Sequence, residues 1–177
     1  MPDTFLSKND ILWIPKNLCP MPVLSDNIRS LISWGIKVHE KGNYNHFMWY
    51  LGHGLVASQD AVFHVAQVKD YFKRNRLKFW YCPSWTAEQR EMILNAVRTD
   101  ILKPWYKRLY DPLAIVGQLI HFDRLQIPGI DICSDKGAYL KLVDPNYSLK
   151  HPDPENINAW LESQNGKYQV YGRYVPD

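Results

Sequence analysis

Residues 45–59 are Asn-His-Phe-Met-Trp-Tyr-Leu-Gly-His-Gly-Leu-Val-Ala-Ser-Gln, and this stretch predicts a β-hairpin. Aromatic and β-branched side chains fill both arms, which favours strands at 45–51 and 55–59. The Gly-His-Gly sequence between them supplies the backbone freedom that a tight turn needs. His46 therefore opens the first strand of the hairpin, and Ser58 and Gln59 close the second.

The segments around the hairpin predict a mixture of helices and strands. The clearest helix covers residues 87–101, because Thr86 and Gln89 have the spacing of a capping box. Apolar periodicity predicts the other elements. These are strands at 10–14, 76–82 and 168–174, helices at 26–38 and 134–143, a loop at 15–24, and a second loop at 144–165 that contains a short helix. We therefore expect one α+β domain over residues 1–177.

Composition and charge exclude several classes of protein. A chain of 177 residues can bury one sizeable core, and its 46% hydrophobic content excludes disorder of the whole chain. The net charge is only +3, so we expect no nucleic-acid partner. The N-terminus lacks the pattern of a secretory leader, and no apolar run approaches the roughly 18 residues of a transmembrane helix. We expect a soluble protein that is cytoplasmic at synthesis.

Three widely spaced cysteines, Cys19, Cys82 and Cys133, argue against a disulfide framework. The sequence has no Cys-x-x-Cys pair, so we expect no metal site and no cofactor. Cys133 directly precedes the helix predicted at 134–143, where free N–H groups and the helix dipole stabilise a thiolate. Cys133 is therefore a candidate nucleophile, and the alternative is a small buried apolar residue.

A thiolate nucleophile needs a base and a group that orients the base. His46 is the candidate base, because a strand holds its imidazole more rigidly than a loop would. Ser58 and Gln59 lie on the return strand and point to opposite faces, so only one of them can meet His46. Either can accept a hydrogen bond from the ring, and both can also be ordinary polar strand residues.

The order of these elements resembles the circularly permuted NlpC/P60 group of papain-like cysteine hydrolases, in which His precedes Cys. The resemblance covers residues 9–143. It implies a papain-like antiparallel sheet packed with helices, with residues 144–177 as a C-terminal extension. It also implies that His46 is the base and that Cys133-Ser134-Asp135 begins the helix of the nucleophile.

The resemblance extends to the third catalytic residue and to the substrate cleft. Many members carry a glutamate on the return strand, and counting from His46 places that position at Ser58, next to Gln59. We favour Gln59, because its longer amide can reach across a strand pair, and keep Ser58 as the alternative. The Lys-Pro-Trp-Tyr segment at 103–106 matches a segment that lines the cleft in the family. The expected substrate contacts are Trp105, Tyr106, Tyr110 and Ser134.

The function that these expectations describe is cleavage of an amide or peptide bond, with peptidoglycan stem peptides as the substrate class that the resemblance suggests. Basic residues concentrated between Lys69 and Arg108 would favour an anionic cell-wall polymer if they meet in space. The hairpin sequence resembles phage and prophage members, so a virion location and a phage-particle or host-protein partner stay open. The alternatives are an acyl ester or lipid-directed hydrolase or acyltransferase, and a catalytically decayed phage structural or binding domain.

Overall fold

The computed structural model describes residues 4–27, 43–109, 111, 133–149 and 152–176. These residues build an antiparallel sheet with strand order β4-β3-β2-β1-β5-β6 and helices packed against it. The α+β class and the antiparallel sheet are therefore as predicted. The strands are β1 Met21–Asn27, β2 His46–Gly52, β3 Leu55–Gln59, β4 Phe63–Gln67, β5 Asn75–Tyr81 and β6 Gln169–Tyr174.

Helices of two kinds accompany the sheet. The α-helices are α1 Lys8–Leu12, α2 Ala87–Ile101 and α3 Pro154–Ser163. A 3₁₀ helix over Cys133–Leu142 is called the Cys133 helix below, and shorter 3₁₀ helices cover Lys16–Leu18, Val68–Asp70 and Trp105–Lys107. Within the described ranges, each of these helices is too short or too polar to cross a bilayer.

The predicted hairpin is present as β2 and β3. The backbone takes positive φ angles at Gly52 (+97°), His53 (+52°) and Gly54 (+73°), which explains the two glycines of the turn. The strands pair Tyr50 with Val56, but the next pair is Gly52 with Leu55, so Leu51 is an extra residue in a β-bulge. The bulge shifts the register of the whole hairpin by one residue.

The capping box predicted before residue 87 is confirmed. Thr86 accepts a hydrogen bond from the Gln89 backbone N–H, and the Gln89 side chain accepts one from the Thr86 backbone N–H. Helix α2 then buries Ile93 and Val97 in the core. Local sequence chemistry and tertiary packing agree here, which is why the predicted bounds of 87–101 are correct.

The sequence prediction is wrong for the first part of the chain. Residues 10–14 do not form a strand, because Ser7 and Asp10 form a capping box that begins helix α1. Residues 15–24 are not only a loop, since β1 begins at Met21 and lies between β2 and β5. The helix predicted at 26–38 begins on the last two residues of β1, and residues 28–42 lie outside the described residues.

Two hydrophobic clusters sandwich the sheet. Phe47 and Trp49 of β2 belong to the cluster that includes the Cys133 helix and α3, while Met48 and Tyr50 belong to the cluster that includes α1. The C-terminal segment adds to the first cluster, and its β6 strand pairs with β5. Residues 154–174 are therefore part of the sheet and of the core, and α3 confirms the short helix predicted within the loop at 144–165. The core residues of this segment are Ile157, Trp160, Leu161 and Tyr168.

Candidate active site

The Cys133 helix is fixed to β2, the strand that carries His46. Trp49 of β2 donates a hydrogen bond from its indole nitrogen to the Lys136 carbonyl oxygen at 2.9 Å. The Tyr139 ring stacks on the Trp49 ring, with 6.3 Å between ring centroids. Gly137 allows α3 to approach closely, because a Cβ at this position would lie 2.5 Å from Ile157 Cδ1. The helix start that bears Cys133 is therefore held on the sheet from both sides.

A buried ion pair ties the same helix to α2. Lys136 Nζ lies 2.6 Å from Asp100 Oδ2, and Tyr139 donates a second hydrogen bond to this oxygen. Burial alone would raise the pKa of Asp100, but hydrogen bonds from Lys103, Lys136 and Tyr139 lower it. Asp100 therefore stays ionised and links the end of α2 to the Cys133 helix.

His46 and Cys133 meet at the start of β2. Cys133 is buried, and the His46 side chain is 14% exposed. Burial alone would lower the pKa of His46, but the Cys133 thiolate, a hydrogen bond to it and the Asp60 carboxylate raise that pKa well above the ordinary histidine value. Because a charge interaction acts on both partners, it also favours the thiolate form of Cys133. The geometry therefore suits a thiolate–imidazolium pair.

The imidazole makes its other contacts through Nε2. Ser58 Oγ lies 2.7 Å from this nitrogen, and Asp60 Oδ1 lies 3.3 Å from it. Ser58 donates its own proton to Asp60 Oδ1 at 3.1 Å, so its oxygen is free to accept from the ring N–H. Because Ser58 and Asp60 engage Nε2, Nδ1 is the ring nitrogen left for a bond with the Cys133 sulfur.

Asp60 is held by donors on both of its oxygens. The Tyr71 hydroxyl donates to Oδ2 at 2.7 Å, opposite the oxygen that faces His46. Burial alone would raise the pKa of Asp60, but hydrogen bonds and charge from His46, with hydrogen bonds from Tyr71 and Ser58, lower it to about 2. The carboxylate is therefore charged throughout the physiological range and stabilises a charged imidazole.

The preference for Gln59 as the orienting residue is corrected by the structure. The Gln59 side-chain nitrogen donates to the Arg108 carbonyl at 2.8 Å, and Gln59 packs away from the imidazole. Ser58, the alternative, does contact His46. The sequence analysis missed Asp60 as the carboxylate, although it lies only one residue beyond β3. The strand register of the hairpin could have identified Asp60. Two residues beyond the antiparallel Met48–Ser58 pair, the same register places Asp60 opposite His46.

The expected substrate contacts have mixed outcomes. Trp105 and Tyr106 are 64% and 53% exposed, on a segment that reaches β4 through a hydrogen bond from the Phe63 N–H to the Arg108 carbonyl. Ser134 is fully buried, and among the described residues its Oγ has no hydrogen-bond partner, so it is closed to substrate in this conformation. Tyr110 lies outside the described residues.

The other cysteines and the basic residues do not join this site. Cys19 is buried, and burial raises the pKa of its thiol to about 12. Cys82 is buried beside Ser84. Lys78 is a core residue bound to Glu162, so the basic residues between Lys69 and Arg108 do not form one exposed surface. Within the described parts of the chain, no group of three or more His, Cys, Asp or Glu side chains is arranged to hold a metal ion.

Comparison of the chain with known proteins gives no match, either to a protein-family model or to a curated protein. The site therefore has to be interpreted from its own chemistry. That chemistry is a buried thiol hydrogen-bonded to an imidazole, which a carboxylate and a hydroxyl hold from the opposite side.

Proposed function

We propose that the protein is a cysteine hydrolase that cleaves an amide or peptide bond through an acyl-enzyme intermediate. The observation that carries the proposal is the hydrogen-bonded series from Cys133 through His46 to Asp60. A nucleophile, a base and a group that orients the base are the three parts that thiol-based acyl transfer requires.

The first half of the reaction forms a thioester. The Cys133 thiolate attacks the substrate carbonyl carbon, a C–S bond forms, and the carbonyl oxygen becomes an oxyanion. Backbone N–H groups at the start of the Cys133 helix would stabilise this charge. The His46 imidazolium then gives its proton to the leaving nitrogen, and the C–N bond breaks.

The second half of the reaction consumes water. Neutral His46 takes a proton from a water molecule, which attacks the thioester carbonyl. The C–S bond breaks, the acid product leaves, and the imidazolium–thiolate pair is restored. Asp60 stabilises the imidazolium in both halves without taking its proton, and Ser58 keeps the ring and the carboxylate in register.

We further propose that the chain is a permuted NlpC/P60-like protein that acts on peptidoglycan stem peptides. Its support is the order of the site residues, with His46 on a hairpin before Cys133 at a helix start. Asp60 adds to that support, because it supplies a carboxylate next to the return strand, near the glutamate of many members. Absence of a carboxylate third residue would favour a catalytically decayed binding domain, and Asp60 supplies such a carboxylate.

An acyl ester or lipid-like substrate is the second candidate. The observation that favours it is a set of apolar side chains that are each more than half exposed, Leu102, Trp105 and Tyr106, on the segment that joins α2 to β4 through Arg108. Such side chains suit an acyl chain as well as they suit a peptide.

The deciding experiment assays the purified protein against muropeptides and against a panel of short acyl esters. We expect the protein to hydrolyse one of these two substrate classes. Its turnover should fall at least about 100-fold in Cys133→Ala and in His46→Ala. Cys19→Ala is the matched control, because this buried thiol lies outside the site. Equal turnover in Cys133→Ala and the wild type would refute the proposal, and the cleaved class separates the two substrate candidates.

A further inference from the structure

Tyr71 follows the short 3₁₀ helix Val68–Asp70 and contacts the carboxylate of the candidate active site. We propose that Tyr71 is a positioning residue, which fixes the Asp60 carboxylate so that Oδ1 faces His46. This inference rests on the proposed function, because it assigns Tyr71 a role in the same thiol chemistry.

The geometry divides the two carboxylate oxygens between different partners. Asp60 Oδ1 faces His46 Nε2 and Ser58 Oγ, at 3.3 and 3.1 Å, whereas Oδ2 accepts from Tyr71 at 2.7 Å. Asp60 stands one residue beyond the end of β3, where the strand ladder no longer fixes its backbone. Tyr71 therefore supplies a restraint from outside the hairpin.

Tyr71 is well suited to remain a donor. Burial and the neighbouring Asp60 charge raise the pKa of the Tyr71 hydroxyl far above its ordinary value. The hydroxyl therefore keeps its proton over the pH range of the proposed reaction and donates it to the ionised Asp60 carboxylate. A positioning contact of this kind does not titrate with the catalytic pair.

The other groups around Asp60 do not replace this contact. His64 Nε2 lies 3.9 Å from Oδ2, which is too far for a hydrogen bond, and its side chain is 42% exposed. His64 instead contacts the Val62 carbonyl through Nδ1. Asp70 is exposed and its charge acts on Tyr71 rather than on the imidazole.

Loss of the Tyr71 hydroxyl should weaken the imidazolium and, through it, the Cys133 thiolate. Asp60 would keep its charge but lose the donor that sets its orientation. One hydrogen bond of this strength corresponds to a change of about three- to tenfold in the population of the thiolate–imidazolium pair. The lower Cys133 reactivity should appear below about pH 7, where the thiolate depends on the imidazolium. It should vanish at alkaline pH, where an ordinary thiol is also ionised.

The test measures alkylation of Cys133 by iodoacetamide, followed by peptide mass, at pH 5.5 and at pH 9.5. We expect Tyr71→Phe to lower the rate at pH 5.5 about three- to tenfold while the rate at pH 9.5 stays within twofold. Tyr81→Phe is the matched control, because its hydroxyl bonds Gln169 at the β5–β6 edge. A melting curve checks folding, and Tyr71→Leu provides a second hydroxyl-free variant.

The outcomes separate this inference from the proposed function. The ratio of the alkylation rate at pH 5.5 to the rate at pH 9.5 is the quantity compared. If both Tyr71 variants keep the wild-type ratio, the role of Tyr71 is overturned and the hydrolase proposal stays intact. A wild-type rate that rises only near the pKa of an ordinary thiol, about 8.5, would overturn the thiolate pair itself. A reduced ratio in Tyr71→Phe but not in Tyr81→Phe is the supporting result.

Discussion

Asp60 lies directly across the β2–β3 hairpin from His46, with its Oδ1 3.3 Å from the imidazole Nε2. The two residues are fourteen positions apart in the chain, and the strand pairing brings them together. The Cys133 thiolate and the Asp60 carboxylate together raise the pKa of His46, and Cys133 reaches the pair from a helix that begins more than seventy residues after Asp60.

Replacement of Asp60 by Asn should reduce turnover while leaving the fold intact. The amide can still touch His46, but it lacks the charge that stabilises the imidazolium. We expect kcat to fall about tenfold or more, because the amide no longer holds the ring in the productive tautomer and no longer stabilises its charge. Asp70→Asn removes an exposed carboxylate from the same region and should keep kcat. Equal kcat in the two variants would contradict the role of Asp60.

The pH profile of kcat/KM should reach unusually far into the alkaline range. The Cys133 and Asp60 charges raise the pKa of His46, so the imidazolium that protonates the leaving group survives above the ordinary histidine value of about 6.5. Activity should therefore decline only well above pH 8, and Asp60→Asn should move this decline to lower pH. A decline centred near pH 6.5 in the wild type would show that the pair does not form. Rates from pH 5 to 10 test both points.

Lys136→Met should destabilise the protein by about 1–3 kcal/mol, because Asp100 loses its buried cationic partner and keeps only the bonds from Lys103 and Tyr139. Methionine keeps most of the length of the side chain, so packing changes little. Lys141→Met is the matched control, since Lys141 is exposed on the same helix and its loss should change the unfolding free energy by under about 0.5 kcal/mol. Urea unfolding of the two variants makes the comparison, and similar midpoints would count against the ion pair.

Lys78→Met should uncouple the C-terminal helix from the sheet. Lys78 is buried in β5, and its Nζ donates to Asn158 at 3.0 Å and to Glu162 at 2.7 Å on α3. We expect a loss of about 1–3 kcal/mol in unfolding free energy, because the buried Asn158 oxygen loses its donor while exposed Glu162 is hydrated, and faster proteolysis near α3. Lys73→Met removes an exposed lysine nearby and serves as the control. Unchanged protease resistance of α3 would mean that this contact does not anchor the segment.

The sequence was most informative where local chemistry and packing agree. Strong β-formers around a glycine turn predicted β2 and β3, and Thr86 with Gln89 predicted α2 to the residue. The apolar run at 10–14 was misjudged because a short apolar run suits a helix as well as a strand, and the capping residues Ser7 and Asp10 decide between them.

The site was only partly predictable for a different reason. Cys133 and His46 could be proposed from a helix start and a strand start, but the third residue depended on the hairpin register. Counting along the chain led to Ser58 and Gln59, while the register with its bulge leads to Asp60. Tyr71 joins the site through tertiary packing, which no local pattern of the sequence encodes.

The bulge at Leu51 shifts the β2–β3 register by one residue and so determines which residue lies opposite His46. A regular ladder continued from the Gly52–Leu55 pair would bring Ala61, rather than Asp60, opposite His46. A methyl group cannot accept a hydrogen bond from the imidazole N–H, so the same residues paired in that register would lack the carboxylate contact. The length of the hairpin arms thus decides whether a carboxylate faces His46, and a single insertion between His46 and Leu51 should remove that contact as completely as the loss of Asp60 itself.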